Sequence, residues 1–132
     1  MRQPFATAIA LFVMTGVHHA EAAGVHVVRR IPGYTCMMLN ETPQQAVDPR
    51  VQIPVRAEPK SESPPVGNAM PVVAVKAPLQ SVNGFYEALF PNGRRVWIGA
   101  NRVVPYHSLG DPAAKCAPAV MSNGLVGFDY YH

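Results

Sequence analysis

Apolar and polar residues alternate most regularly between residues 85 and 98. Phe85, Glu87 and Leu89 fall on one face of an extended chain, and Tyr86, Ala88 and Phe90 on the other. Pro91-Asn92-Gly93 follows. Pro91 presets φ at the first corner, Asn92 tolerates the second, and Gly93 takes a positive φ as a bulge residue. Val96-Trp97-Ile98 then returns with β-branched residues around the tryptophan. This pattern predicts a hairpin, followed by a short turn that stops at Pro105. Upstream, residues 72–76 predict the most clearly β-branched strand, and residues 78–84 turn the chain into the hairpin. Residues 51–57 predict a strand that is either an edge or bulged at Pro54, which has no N–H donor. A polar, proline-rich loop over residues 58–65 leads to a very short strand at Val66-Gly67. The expectation is an all-β fold, a small five-stranded barrel over residues 51–106. Its core is Val55, Val73, Val75, Tyr86, Ala88, Val96 or Trp97, Ile98 and Val103.

The flanks are less regular. Residues 25–28 read as a short strand or an extended arm, and residues 34–39 as an apolar run packing across the outside of the core. Thr42-Pro43-Gln44-Gln45 has the form of a capping box with proline at the first helical position, and Asp48-Pro49 keeps that helix short. Residues 23–50 are therefore expected to be an irregular extension that wraps the barrel. Residues 107–132 form a second one. In it Asp111-Pro112-Ala113 reads as a capped turn, residues 118–122 as another turn ended by Asn123-Gly124, and residues 125–131 as a last strand or a packed tail.

Fourteen prolines and ten glycines against 14 % charged residues fit a turn-rich chain of short strands. The net charge of +3 is modest, and Arg29-Arg30 and Arg94-Arg95 are the only doubled basic sites, which gives no stripe for nucleic acid. Residues 1–22 have the form of a secretory signal peptide. Arg2 starts it, residues 5–17 make an apolar core too short for a comfortable membrane span, and Ala20-Glu21-Ala22 is a small-x-small cleavage site. The competing reading is an uncleaved anchor. The mature chain is expected to start at Ala23, to be periplasmic or extracellular, and to keep no stable membrane span. Export decides how Cys36 and Cys116 are read. An even pair in an oxidising compartment predicts a disulfide, and neither a C-x-x-C motif nor a nearby histidine cluster supports a redox or metal pair.

Two stretches carry a family resemblance. The first is Ile53-Pro-Val-Arg-Ala-Glu-Pro-Lys-Ser-Glu-Ser-Pro-Pro-Val-Gly67. It resembles the opening of a bacterial SH3 (SH3b) domain, in which a Val-Arg strand is followed by a small residue, a proline, a serine-rich loop, and an apolar residue with glycine. The second, Asn83-Gly-Phe-Tyr-Glu-Ala-Leu-Phe-Pro-Asn-Gly-Arg-Arg-Val-Trp-Ile98, resembles its second half, and Ala100-Asn101-Arg102-Val103 fits the short helical turn and final strand. Val96 stands where the family usually has glycine, and Phe85 where it usually has tryptophan. The resemblance implies an SH3-like barrel. It transfers no ligand, because SH3b ligands are read by exposed aromatics and variable loops.

Chemistry points away from catalysis. His26, His107 and His132 are far apart in sequence, and no H-E-x-x-H, G-x-S-x-G or phosphate-cradling glycine loop occurs. Ser108 beside His107 reads as loop, and Glu87 as a cross-strand partner of Arg94 or Arg95. Met37 and Met38 read as core filler. No metal site and no cofactor are expected. Phe85, Trp97 and Tyr106 are the candidates for an exposed aromatic groove, with Arg94, Arg95 and Arg102 flanking it to hold carboxylates. Against this stands a Trp97 packed beneath the N-terminal arm. The functional expectation is an exported, non-catalytic module that binds peptidoglycan or an envelope protein or peptide. The alternative is an accessory subunit of an envelope complex, with the groove covered by its own extensions.

Overall fold

The computed structural model describes residues 24–132, so the signal-peptide expectation lies outside the described residues. The fold is all-β, with ten strands in two antiparallel sheets. The strands are β1 Val27–Arg30, β2 Tyr34–Leu39, β3 Pro54–Arg56, β4 Pro65–Asn68, β5 Val72–Lys76, β6 Phe85–Leu89, β7 Arg95–Gly99, β8 Val103–Pro105, β9 Lys115–Met121 and β10 Val126–Tyr131. One four-residue helix, α1 (Pro43–Ala46), and a 3₁₀ turn at Ala100–Arg102 complete the described elements.

The larger sheet has the order β4-β3-β7-β6-β5-β2-β8. It has two edges, β4 and β8, and does not close into a barrel. Strand β2 corrects the expectation of an outer wrap: it is an interior strand, paired with β5 through Cys36↔Ala74 and with β8 through Met38↔Val104. Alternation explains the placement. Met37 joins Val73 in the main core, and Cys36 sits beside Ala74 on the opposite face, where both are buried as well. The core is Met37, Ile53, Val55, Val73, Val75, Ala88, Val96, Ile98 and Val103. Val75, Ala88 and Ile98 are 0 % exposed. Tyr86, expected within this core, is half-buried at its margin, and of the pair Val96 and Trp97 it is Val96 that faces inward.

Local chemistry sets the turns. Gly93 has φ 82°, with Phe90 N–H donating to Arg94 O and Gly93 N–H to Phe90 O, the bulged hairpin that the Pro-Asn-Gly run predicts. Asn83 and Gly84 both have positive φ between Val82 and Phe85, whose backbones exchange two hydrogen bonds. The ladder between β3 and β4 shifts register between Val55 and Arg56, past Pro54, which pairs with Asn68, and β3 is an interior strand rather than an edge. Helix α1 carries the capping box: Gln45 N–H donates to Thr42 Oγ1, and Thr42 N–H to Gln45 Oε1.

The smaller sheet, β1-β9-β10, is built from both termini of the described chain. Residues 118–122, expected as a turn, belong largely to β9. Pro118 is tolerated there because its carbonyl accepts from Ile31 N–H at 2.9 Å. A strand residue points its nitrogen and carbonyl to the same edge, and on that edge β1 has already ended at Arg30. The Asn123-Gly124 pair turns the chain into β10, which pairs only with β9 and adds to no edge of the large sheet. A disulfide between Cys36 on β2 and Cys116 on β9 joins the two sheets across 80 residues of sequence. Disulfides persist mainly in oxidising compartments. Among the described residues no helix is long and apolar enough to cross a membrane.

Candidate functional site

The outer face of the hairpin sorts the aromatic and basic residues. Phe85, Glu87 and Leu89 on β6 oppose Gly99, Trp97 and Arg95 on β7, and Arg56 on β3 opposes Trp97 from the other side. Two separate hollows result, one at the Phe85–Gly99 end of the row and one beside its central pair, Glu87 and Trp97.

The first hollow, about 250 Å³, is lined by Pro54, Arg56, Ser61, Phe85, Asn101 and Arg102, with Gly99 in its floor. Each wall has a local cause. The pairing Phe85↔Gly99, with Ala100 N–H donating to Gly84 O at 2.8 Å, sets the 3₁₀ turn and Arg102 beside the Phe85 ring. Gly99 keeps the floor open, since a Cβ there would lie 3.0 Å from Asn101 Oδ1 and 3.2 Å from Arg102 Cγ. The loop after β3 is pinned by Ser63, which is buried. Its hydroxyl accepts from Glu58 N–H at 3.1 Å, and its carbonyl accepts from Arg56 Nη1 at 2.8 Å. That last bond fixes the half-buried Arg56 guanidinium at the groove's edge. Neither Arg56 nor Arg102 meets a carboxylate among the described residues.

The second hollow, about 160 Å³, contains Trp97, Glu87, Lys76, Pro78, Gln80 and Val82. Trp97 is half-buried there against the loop that follows β5, and the N-terminal arm does not contribute to the hollow. Glu87 is already engaged, at 3.2 Å from Lys76 Nζ and 3.7 Å from Arg95 Nε. Its anionic charge is matched by cations of the same face, which leaves little for a ligand.

Of the six residues singled out in sequence, the structure therefore brings Phe85 and Arg102 into one groove. Trp97 lies in the neighbouring hollow. Arg95 is tied to Glu87, and Arg94 stands exposed on the hairpin. Tyr106 belongs to neither hollow: its ring lies 5.9 Å from that of Tyr130 on β10. Desolvation raises the Tyr130 phenol above its usual range, with Tyr106 adding to the effect. Arg56, Pro54, Ser61 and Asn101 complete the groove and were not singled out. The Val-Arg pair on β3 was visible in sequence, but nothing local to it places Arg56 opposite Trp97.

His107 and Ser108 do not hydrogen-bond to each other among the described residues. His107 Nδ1 lies 3.3 Å from Pro105 O, and Ser108 Oγ accepts from Asp111 N–H at 3.2 Å, so the adjacent pair is held by separate partners. An apolar cavity of about 270 Å³ lies between the sheets, with Leu89, Phe90 and Val72 on one side and Val126 and Phe128 on the other. It has no charged side chain to orient a ligand. The exposed pair Arg30–Asp129, at 2.9 Å, carries the Tyr131 ring 4.1 Å beneath the guanidinium, and hydrogen bonding to Asp129 is the main cause that raises the Arg30 pKa further.

No family model matches this chain, and no curated protein and no solved structure matches it.

Proposed function

We propose that this chain is an exported, non-catalytic binding module with an SH3b-like core over residues 51–106. In this reading it recognises peptidoglycan or an envelope peptide through the groove of Phe85, Arg56 and Arg102. The SH3b-like reading rests on the two matching stretches, the bulged hairpin at Gly93 and the 3₁₀ turn before the last core strand. The large sheet then differs from a closed barrel because β8 pairs with β2. The observation that carries the functional reading is the groove itself: one hollow lined by an aromatic ring, a glycine and two arginines that meet no carboxylate among the described residues. Every residue lining it falls between 54 and 102, so the described extensions leave it uncovered. That favours a binding module over an accessory subunit that occludes its own groove. Export is supported by the Cys36–Cys116 disulfide and by the leader pattern of residues 1–22.

Retention on purified cell-wall sacculi tests the reading. The mature chain is expected to co-sediment. Phe85→Ala should weaken retention about tenfold, as expected for loss of an aromatic contact of ~1.5 kcal/mol, while Trp97→Ala should change it little. A wild-type chain that stays in the supernatant would remove the cell-wall version.

A further inference from the structure

Within that groove the charge balance is one-sided. Five of the cationic side chains at the described surface are matched in ion pairs: Arg30 with Asp129, Arg50 with Asp48, Lys60 with Glu58, and Lys76 and Arg95 with Glu87. Arg29, Arg56, Arg94, Arg102 and Lys115 are not, and of these Arg56 and Arg102 flank the same hollow. The acids nearest in sequence are occupied: Glu58 lies 3.1 Å from Lys60 Nζ, and Glu62 Oε1 accepts from the Ser61 hydroxyl at 3.3 Å. One Arg56 Nη is committed to Ser63 O, which orients the guanidinium and leaves its remaining N–H donors without a partner among the described residues. A half-buried guanidinium held this way loses little freedom on binding, and its planar fork matches a carboxylate.

We propose that the groove binds a carboxylate, held by the Arg56 fork and by Arg102, with the apolar part of the same ligand lying on the Phe85 ring. The inference rests on the binding-module reading and names the ligand group it takes. An uncharged sugar face would leave both guanidinium groups unanswered. A cationic peptide would meet them with repulsion. The carboxylate can come from a peptide C-terminus or from an acidic side chain, and the two sources share this chemistry.

The Arg Nε–H signals of the ¹⁵N-labelled mature chain provide the readout, at constant ionic strength because exposed arginines are screened by salt. The probes are N-acetyl-alanyl-alanine, its C-terminal amide, N-acetylglutamic acid α-amide, and inorganic phosphate. At least one of the two carboxylate probes should shift Arg56 and Arg102 saturably, and the tighter of them names the source. The dipeptide amide should not shift them. Arg56→Gln and Arg102→Gln should each weaken binding about tenfold, the loss expected for one charged hydrogen-bonding partner, and Arg94→Gln should leave it unchanged. Equal shifts from the amide or from phosphate, or an equal loss in Arg94→Gln, would overturn the carboxylate assignment. Sacculi separate the two claims. Retention that needs Phe85 but neither arginine sinks the carboxylate and leaves the module. Carboxylate binding by a chain that sacculi do not retain removes the cell-wall version and leaves an envelope peptide as the source of the carboxylate.

Discussion

The Cys36→Ala/Cys116→Ala double variant is expected to lose about 4 kcal/mol of stability. The bond closes a loop of 80 residues, and the loop-entropy relation for that length gives a figure near 4.5 kcal/mol as an upper value. For a chain of this size the melting temperature should fall by roughly 15 °C or more. The loss should be uneven. The large sheet has its own core of nine buried residues, whereas the small sheet contributes only Pro118 and Ala119 to the buried set. Three short strands with so little core are marginal on their own. Amide exchange is therefore expected to accelerate first in β9 and β10, with β6 and β7 protected to higher denaturant. Uniform acceleration across both sheets would contradict the division of labour argued above.

The second large effect is expected in the core. Ile98 lies on β7 between β3 and β6 and is 0 % exposed. Ile98→Ala removes three carbons from a site walled by strands on both sides, where collapse is limited. The expected loss is about 3–4 kcal/mol, from transfer and cavity terms together. Urea unfolding should show it as a lower midpoint with an unchanged slope. Trp97→Ala, its sequence neighbour on the opposite face, should cost less, since that ring is only half-buried. A larger loss at Trp97 than at Ile98 would reverse the assignment of faces.

The elements legible in the sequence are those specified by neighbours. The Phe85–Leu89 and Arg95–Gly99 hairpin follows from alternation plus one turn tripeptide. The capping box at Thr42 follows from four consecutive residues. The disulfide follows from an even pair of cysteines read together with the leader pattern of residues 1–22. What could not be read depends on distant partners. Strand β2 finds β8 through Leu39↔Val103, and an apolar run such as Tyr34–Leu39 has the same composition inside a sheet or laid over one. Pro118 signalled a turn, because a proline in a strand is tolerated only where its nitrogen owes no ladder bond. Which edge that nitrogen faces is decided by β1, almost ninety residues earlier in the chain. The groove divides the same way. Phe85 and Arg102 share a hairpin and its adjoining turn, so both were visible as candidates. Arg56 joins them only through its pairing with Trp97.

The central claim is that ligand recognition lies in the groove between β3 and the 3₁₀ turn. Titrating the ¹⁵N-labelled chain from Ala23 onward with soluble muropeptides tests it most directly. The amide signals of Phe85, Gly99, Asn101 and Arg102 are expected to shift together and to saturate at one affinity, while those of β9 and β10 stay in place. Shifts confined to the Trp97 hollow or to the small sheet, with the groove silent, would contradict it.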